Sequence, residues 1–243
     1  MLAWYSTFEP LGLAVSDAEY RELARRARGE GLSVTPLLVT QDVDVPVVAV
    51  AVHREAGGDD GAIEGGRAAE GGGVDGRDGD ESGSDGWPRF AVGSSANLDA
   101  AAAARSALAE ALQSWMELRA MGPDGATDAE GAIGRYADFP ASTRAFVEPA
   151  GRVPAASVGE EVPGAAAELD ALLGRVADAG LDAYAARLTT RDVERLGFEA
   201  VRVLVPGAQP LFTGAAFFGE RARTVPEELG FEPRLDREHH PYP

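Results

Sequence analysis

The stretch from 32 to 53 constrains the fold most. It reads LSVTPLLVTQDVDVPVVAVAVH, two runs dense in valine, leucine and threonine at 32–40 and 46–53, parted by an acidic turn at Asp42 and Asp44. Runs of that kind predict buried strands. A second constraint follows at 99–119, where no glycine or proline interrupts a pattern that gathers Leu108, Ala111, Leu112, Trp115 and Leu118 on one side of a helix. The preceding GSSANLD supplies Ser, Asn and Asp as caps. Ser106, Glu110, Gln113 and Glu117 fall in one narrow stripe on the opposite side, which is either a solvated face or a site.

The remaining elements are shorter. A helix over 16–31 opens on Ser16, with Glu19 three positions later, and stops at Gly29 and Gly31. A short β-like run is predicted at 89–92. The region 121–162 is rich in Gly, Pro and Ala and predicts irregular connections. After it the pattern predicts a helix at 165–179 around Leu169, Leu172, Leu173 and Val176, a strand at 183–188, a short helix at 192–196 and a strand at 200–205. The fold class is α+β: mixed, largely antiparallel sheets with packed helices.

Between 55 and 88 the character changes. This stretch holds 12 of the 30 glycines and ten acids against two arginines, with Ile63 and Val74 its only branched aliphatics. It cannot bury enough apolar surface to order itself, and it predicts an acidic insertion in an overgrown hairpin loop.

All 22 basic residues are arginine, against 40 acids, which leaves a net charge of -18. Arginine in place of lysine has a bland source in GC-rich coding, but the acid excess does not. Dense carboxylates are tolerable where salt screens them, so the composition reads as halophilic. The same negative surface repels phosphate backbones and disfavours nucleic acid as a partner. Without cysteine there is no disulfide, thiolate metal site or Cys nucleophile. No apolar run is long enough for a membrane span, and the start MLAWYSTFEP has no signal-peptide character, so the expected location is the cytoplasm.

Three stretches in order, VTQDVDVPVVAVAV, GSSANLDAAAAARSALAEALQS and FEAVRVLVPGAQPL continuing to GFEPRLDREHHPYP, resemble the YcaO family and in particular its SagD-like members. The resemblance runs from about residue 30 to the end. It implies ATP and Mg2+ as cofactors, a backbone amide of a precursor peptide or protein as substrate, and azoline formation as in bacteriocin maturation. A leader-binding partner protein is implied as well, with a homodimer left open.

The family motif Ser-x2-Asn-x3-Glu, with a later Glu-x2-Gln on the helix, matches at Ser94, Asn97, Glu110 and Gln113, while Ala101 stands where the first Glu belongs. The resemblance therefore implies Glu110 as metal ligand and Ser94, Asn97 and Gln113 as nucleotide contacts. From the residues alone, Ser94, Asn97 and Asp99 read as helix caps and Glu110, Gln113 and Glu117 as a solvated face. A helix N-terminus does suit an anion, and a carboxylate suits Mg2+. Arg202 in VRVLVPG matches an arginine placed to meet phosphate, with a surface ion pair as the alternative.

The end, His239-His240-Pro241-Tyr242-Pro243, resembles the family's proline-rich terminus, which implies a catalytic role for Pro241 and Pro243 in presenting the chain end to the amide; read alone, it is a disordered end with a histidine pair. His53 reads as structural. The start MLAWYSTFEP resembles the sequence just after an earlier Glu-rich helix of the family. The resemblance thus implies that residues 1–243 form a partial YcaO domain, through a truncated gene, a misassigned start or a separate chain supplying the rest; in the first case the chain could be an inactive scaffold.

The acid excess generates a direct test. The melting temperature of the purified chain is expected to rise strongly between dilute buffer and about 2–3 M KCl, where screening is complete. A melt indifferent to salt removes the halophile reading.

Overall fold

A computed structural model describes residues 1–54, 86–128, 134–160, 164–212 and 214–242. The predicted strands at 32–40 and 46–53 are β2 (Ser33–Leu38) and β3 (Val47–His53), paired antiparallel after β1 (Leu11–Ala14) and α1 (Ala18–Gly29). The fourth strand, β4 (Phe90–Ala96), pairs antiparallel with β3 from Val47↔Ala96 to His53↔Phe90. This is the pairing an insertion-bearing hairpin needs; most of the predicted insertion, residues 55–85, lies outside the described residues. β4 is three to four residues longer than its apolar run, because cross-strand bonding to β3 carries Ser94 and Ser95 into the ladder. With β5 (Arg152–Pro154) parallel to β1, the sheet order is β4-β3-β2-β1-β5.

β3 shows why its sequence is continuously apolar. Val48, Val50 and Val52 face one side and Ala49 and Ala51 the other, all with 0% exposure, because both sides of the sheet are covered. The valine side packs under α1 and α2 (Ala100–Asp128), against Tyr20, Ala24, Ala107, Leu108, Ala111 and Trp115. The alanine side lies beneath an aromatic layer of Trp4, Tyr5, Tyr136, Phe139, Phe146, Phe212 and Tyr242, part of it from α3 (Ala141–Phe146).

Two boundaries differ from the sequence reading. α1 is capped by Asp17, whose carboxylate accepts from the Tyr20 N–H at 2.7 Å, so Ser16 is not the cap. α2 runs beyond 119 and breaks only at Gly122 (φ 73°), followed by Pro123; a helical turn, α3 and β5 thus occupy part of the region expected to be irregular.

α2 lies unusually close to β4. A Cβ on Gly93 would sit 2.3 Å from the Ala107 carbonyl oxygen and 2.5 Å from the Ala111 nitrogen. Only glycine permits the contact, and the alanines of α2 keep its own side of the contact flat.

Past Gly164 the chain forms α4 (Ala165–Asp178), β6 (Tyr184–Arg187), α5 (Arg191–Arg195) and β7 (Val201–Leu204), all at predicted positions. β6 and β7 form a separate antiparallel ribbon. Two arginines tie this unit to the sheet. Arg175 of α4 pairs with Asp44 and Glu160, and Arg221, opening α6 (Arg221–Glu228), pairs with Asp42 and reaches the Ala179 carbonyl.

The C-terminal tail is ordered, contrary to the reading of HHPYP alone, because it is bonded to the N-terminal segment along its length. Trp4 Nε1 donates to the Glu238 carbonyl at 2.9 Å, Arg237 donates to the Trp4 carbonyl at 2.7 Å with its guanidinium over the indole, and the His240 N–H donates to Tyr5 Oη at 3.2 Å. His240 is fully buried, with Nε2 2.6 Å from the Phe212 carbonyl, and burial holds its imidazole down at about 4 from the ordinary 6.5.

Two tests follow. Gly93→Ala is expected to destabilise the chain by about 3 kcal/mol through overpacking, read as a lowered melting temperature in molar KCl; an unchanged melt would mean that α2 does not rest on β4. Because folded His240 refuses a proton that the unfolded chain accepts, its contribution is complete above pH 6.5 and is lost progressively as pH falls toward about 4. Stability measured by urea titration between these pH values should fall less steeply in His240→Phe than in the wild type, and parallel slopes would refute the buried neutral imidazole.

Candidate functional site

β4 is an edge strand, so N–H groups on its outer side have no neighbouring strand to bond. Ser94 gives its N–H to Glu110 Oε2 at 2.6 Å, a contact possible because Gly93 lets the helix carrying Glu110 approach. The structure therefore joins two of the residues singled out in sequence, 16 positions apart, through a charge-assisted bond. Glu110 is half-buried. Its second carboxylate oxygen and the Ser94 hydroxyl make no hydrogen bond among the described residues.

Asn97 and Asp99 shape the entry to α2. The Asn97 N–H donates to the Pro46 carbonyl at 3.1 Å, the Asn97 side-chain oxygen accepts from the Asp99 N–H at 2.9 Å, and the Asp99 carboxylate accepts from the Ala101 N–H at 2.9 Å. Both side chains thus serve as caps. The Asn97 side-chain nitrogen has no hydrogen bond among the described residues. Ala101 sits in the first helical turn, where a carboxylate would have joined this group.

Gln113 follows Glu110 by one turn and donates to Glu117 Oε1 at 3.0 Å, which links two residues of the polar stripe read from the sequence. Gln113 and Glu117 border an open groove of about 980 Å3 between α1 and α2, whose apolar wall includes Leu23, Leu112, Trp115 and Met116.

Sequence reasoning missed the clamp behind the entry turn. Glu160 donates its N–H to the Leu98 carbonyl at 2.9 Å and takes the Arg175 guanidinium on its carboxylate, and Asp99 bridges to Gly159. The Asp44 partner lies 131 positions from Arg175. Only the acidic turn between two apolar strands hinted that Asp42 and Asp44 had partners.

Three sequence candidates remain. Arg202 is exposed on β7, opposite Ala186, and forms no hydrogen bond or ion pair with Ser94, Asn97, Glu110 or Gln113. Pro241 is buried and lines a small cavity with Phe90, Tyr136, Leu118 and Ser114, so the tail reaches α2 one residue beyond Gln113. Pro243 lies outside the described residues.

Among the described residues, no group of three or more His, Asp or Glu is gathered as a metal cage. Mg2+ does not need one, since it is held by one or two carboxylates together with substrate phosphates and water. Glu110, with one oxygen fixed by Ser94 and the other open, fits that mode.

No helix among the described residues is long and apolar enough to cross a membrane. No curated protein matches the chain in sequence. Two solved structures share its fold. A heterocyclase in complex with substrate and cofactor superposes with a TM-score of 0.68 at 18% identity, over 94% of this chain and 27% of that one. The heterocyclase TruD gives 0.65 at 18% identity, over 94% of this chain and 28% of that one. The chain thus spans little more than a quarter of their length. The family model described as YcaO cyclodehydratase, ATP- and Mg2+-binding, matches residues 1–209. A match over most of the chain, on a fold shared with heterocyclases, places this protein in the YcaO family.

Proposed function

We propose that this chain is the C-terminal part of a YcaO-type ATP-dependent cyclodehydratase, which activates a peptide backbone amide and closes an azoline ring in bacteriocin-like peptide maturation in the cytoplasm. The observation that carries the reading is the Ser94 N–H to Glu110 carboxylate bond, which fixes one oxygen of Glu110 and leaves the other without a hydrogen bond among the described residues.

In this reading Glu110 holds Mg2+, and Ser94, Asn97 and Gln113 position the nucleotide, with the N–H groups that open α2 facing its phosphates. Mg-ATP, when bound, supplies the phosphoryl group that turns the amide oxygen into a leaving group. The attacking side chain is a Cys, Ser or Thr of the precursor peptide. Its oxygen or sulfur bonds to the preceding carbonyl carbon and gives up its proton, the carbonyl oxygen takes up the phosphoryl group, and loss of phosphate together with the amide N–H proton leaves the C=N bond of the ring, with ADP as the other product. The protein's part is placement and charge stabilisation. The tail is held by Tyr5 and Phe212, Pro241 reaches α2 beside Ser114, and in this reading Pro241 and Pro243 orient the amide. Arg202, exposed on β7, would meet the phosphates of the nucleotide, since a guanidinium forks onto phosphate oxygens. A leader-binding protein would deliver the precursor.

Ala101 favours a second reading, in which the chain binds a precursor peptide or a partner subunit without catalysis. One titration separates the two. In molar KCl the chain, alone or joined to the rest of a YcaO domain, is expected to bind Mg-ATP. Glu110→Gln, which can still accept from the Ser94 N–H, should weaken binding by about tenfold or more and abolish its dependence on Mg2+. Absence of binding in both forms would leave only the scaffold.

A further inference from the structure

Where the N-terminal segment meets the tail, the fold leaves several hydrogen-bond donors without acceptors. Ser6, Thr7, Arg234, Asp236 and Arg237 line one opening of about 280 Å3, beside the antiparallel bridge from Ser6 to Pro233. Both hydroxyls are already acceptors: Ser6 Oγ takes the Phe8 N–H at 3.3 Å, and Thr7 Oγ1 takes the Glu232 N–H at 2.9 Å. Neither hydroxyl donates to another described residue, so each keeps its proton for an acceptor from outside. Ser6 is only 2% exposed, and solvent offers its hydroxyl little compensation.

Arg237 adds the charge. Its guanidinium lies over the Trp4 indole and gives one N–H to the Trp4 carbonyl at 2.7 Å, yet it pairs with no carboxylate among the described residues. It is half-buried without a counter-ion in a chain of 40 acids and 22 arginines. Arg234 is exposed and has a single contact with Glu232 at 3.5 Å. Asp236 is the one carboxylate lining the opening, and it pairs with neither arginine among the described residues. Two guanidiniums against one carboxylate leave one positive charge, which suits a monoanion, and the fork of a guanidinium matches the two oxygens of a carboxylate.

A second opening continues from the first across Ser6, Thr7 and Arg237. It encloses about 300 Å3 against Phe8, Pro10 and Phe146, with the exposed Glu9 and Glu148 also lining it. A carboxylate held at Arg237 therefore has an apolar wall next to it and two acceptors beyond. Those acceptors repel a second carboxylate and favour N–H donors.

We infer that the paired openings bind the C-terminal end of a peptide whose last side chain is apolar. The terminal carboxylate takes the donors of Arg237, Ser6 and Thr7, the last side chain lies against Phe8 and Phe146, and the backbone N–H groups behind it face Glu9 and Glu148. Carboxylate, apolar group and N–H row occur in that order at the end of a peptide chain, and capture of a terminal carboxylate is an established mode of peptide recognition. No residue of the Ser94 and Glu110 site takes part, so the inference stands or falls apart from the nucleotide reading.

Titration of the whole chain, followed by 1H–15N NMR at the lowest KCl concentration that keeps it folded, tests this. The probes are acetyl-Ala-Ala-Leu with a free carboxyl end and the same peptide amidated. The free acid is expected to shift the Arg237 side-chain signal and the Ser6 and Thr7 amide signals to saturation, and the amide to leave them in place. Arg237→Lys keeps the charge but loses the fork, and should weaken binding about tenfold at an unchanged melting temperature. Asp236→Asn removes a repelling carboxylate and should tighten binding about threefold, a gain that no folding defect produces. The proposal is overturned if acid and amide bind alike or not at all, or if Asp236→Asn brings no gain. Acetate binding as tightly as the peptide would overturn it in favour of a simple anion site, and an amidated peptide with an internal Asp binding as tightly would overturn it in favour of side-chain carboxylates.

Discussion

The close approach of α2 to β4 at Gly93 governs the rest of the molecule. Helix backbone and strand backbone meet there with no side chain between them, so the sheet and the long helix form one rigid layer pair instead of two loosely packed ones. The alanines at 103, 104, 107 and 111 are what make this possible, because each exposes little bulk to the strand and is fully buried. The Ser94 to Glu110 bond is a consequence of that proximity. A larger spacing would leave the carboxylate in solvent and the edge N–H without a partner.

The other face of the sheet is closed by chain ends. Residues 1–8 and the tail from 231 onward are bonded to each other at Thr7 and Glu232, at Tyr5 and Arg234, and at Trp4 and Glu238, and their aromatic rings form the second core. The tail therefore reaches the β4 and α2 edge from beneath, and its position depends on the N-terminal residues as much as on its own prolines.

These two well-packed cores contrast with the α4 to β7 unit. Its secondary structure is regular, but its apolar residues other than Leu181 are largely uncovered among the described residues, and its ties to the sheet are arginine–carboxylate pairs. The YcaO relatives whose fold it shares are more than three times as long, so ample polypeptide in those proteins lies outside the region this chain matches.

The longer strands and helices were legible in the sequence because each rests on local spacing, as in the valine-rich runs of β2 and β3, the uninterrupted 99–119 helix and the glycine stops, whereas the short β1, α3, β5 and α6 were not read from it. The pairing of Ser94 with Glu110 was indicated only by family resemblance, and nothing local showed that a glycine made it possible. Long-range partners such as Asp44 and Arg175, or Trp4 and Glu238, carry no signal in spacing and emerge only when the sheet is assembled. The same holds for HHPYP, which local composition reads as disordered and which tertiary burial orders. Sequence determined the elements because their energetics come from neighbours three or four positions away; the tertiary structure decided which polar groups meet, because that depends on how closely two backbones can pack.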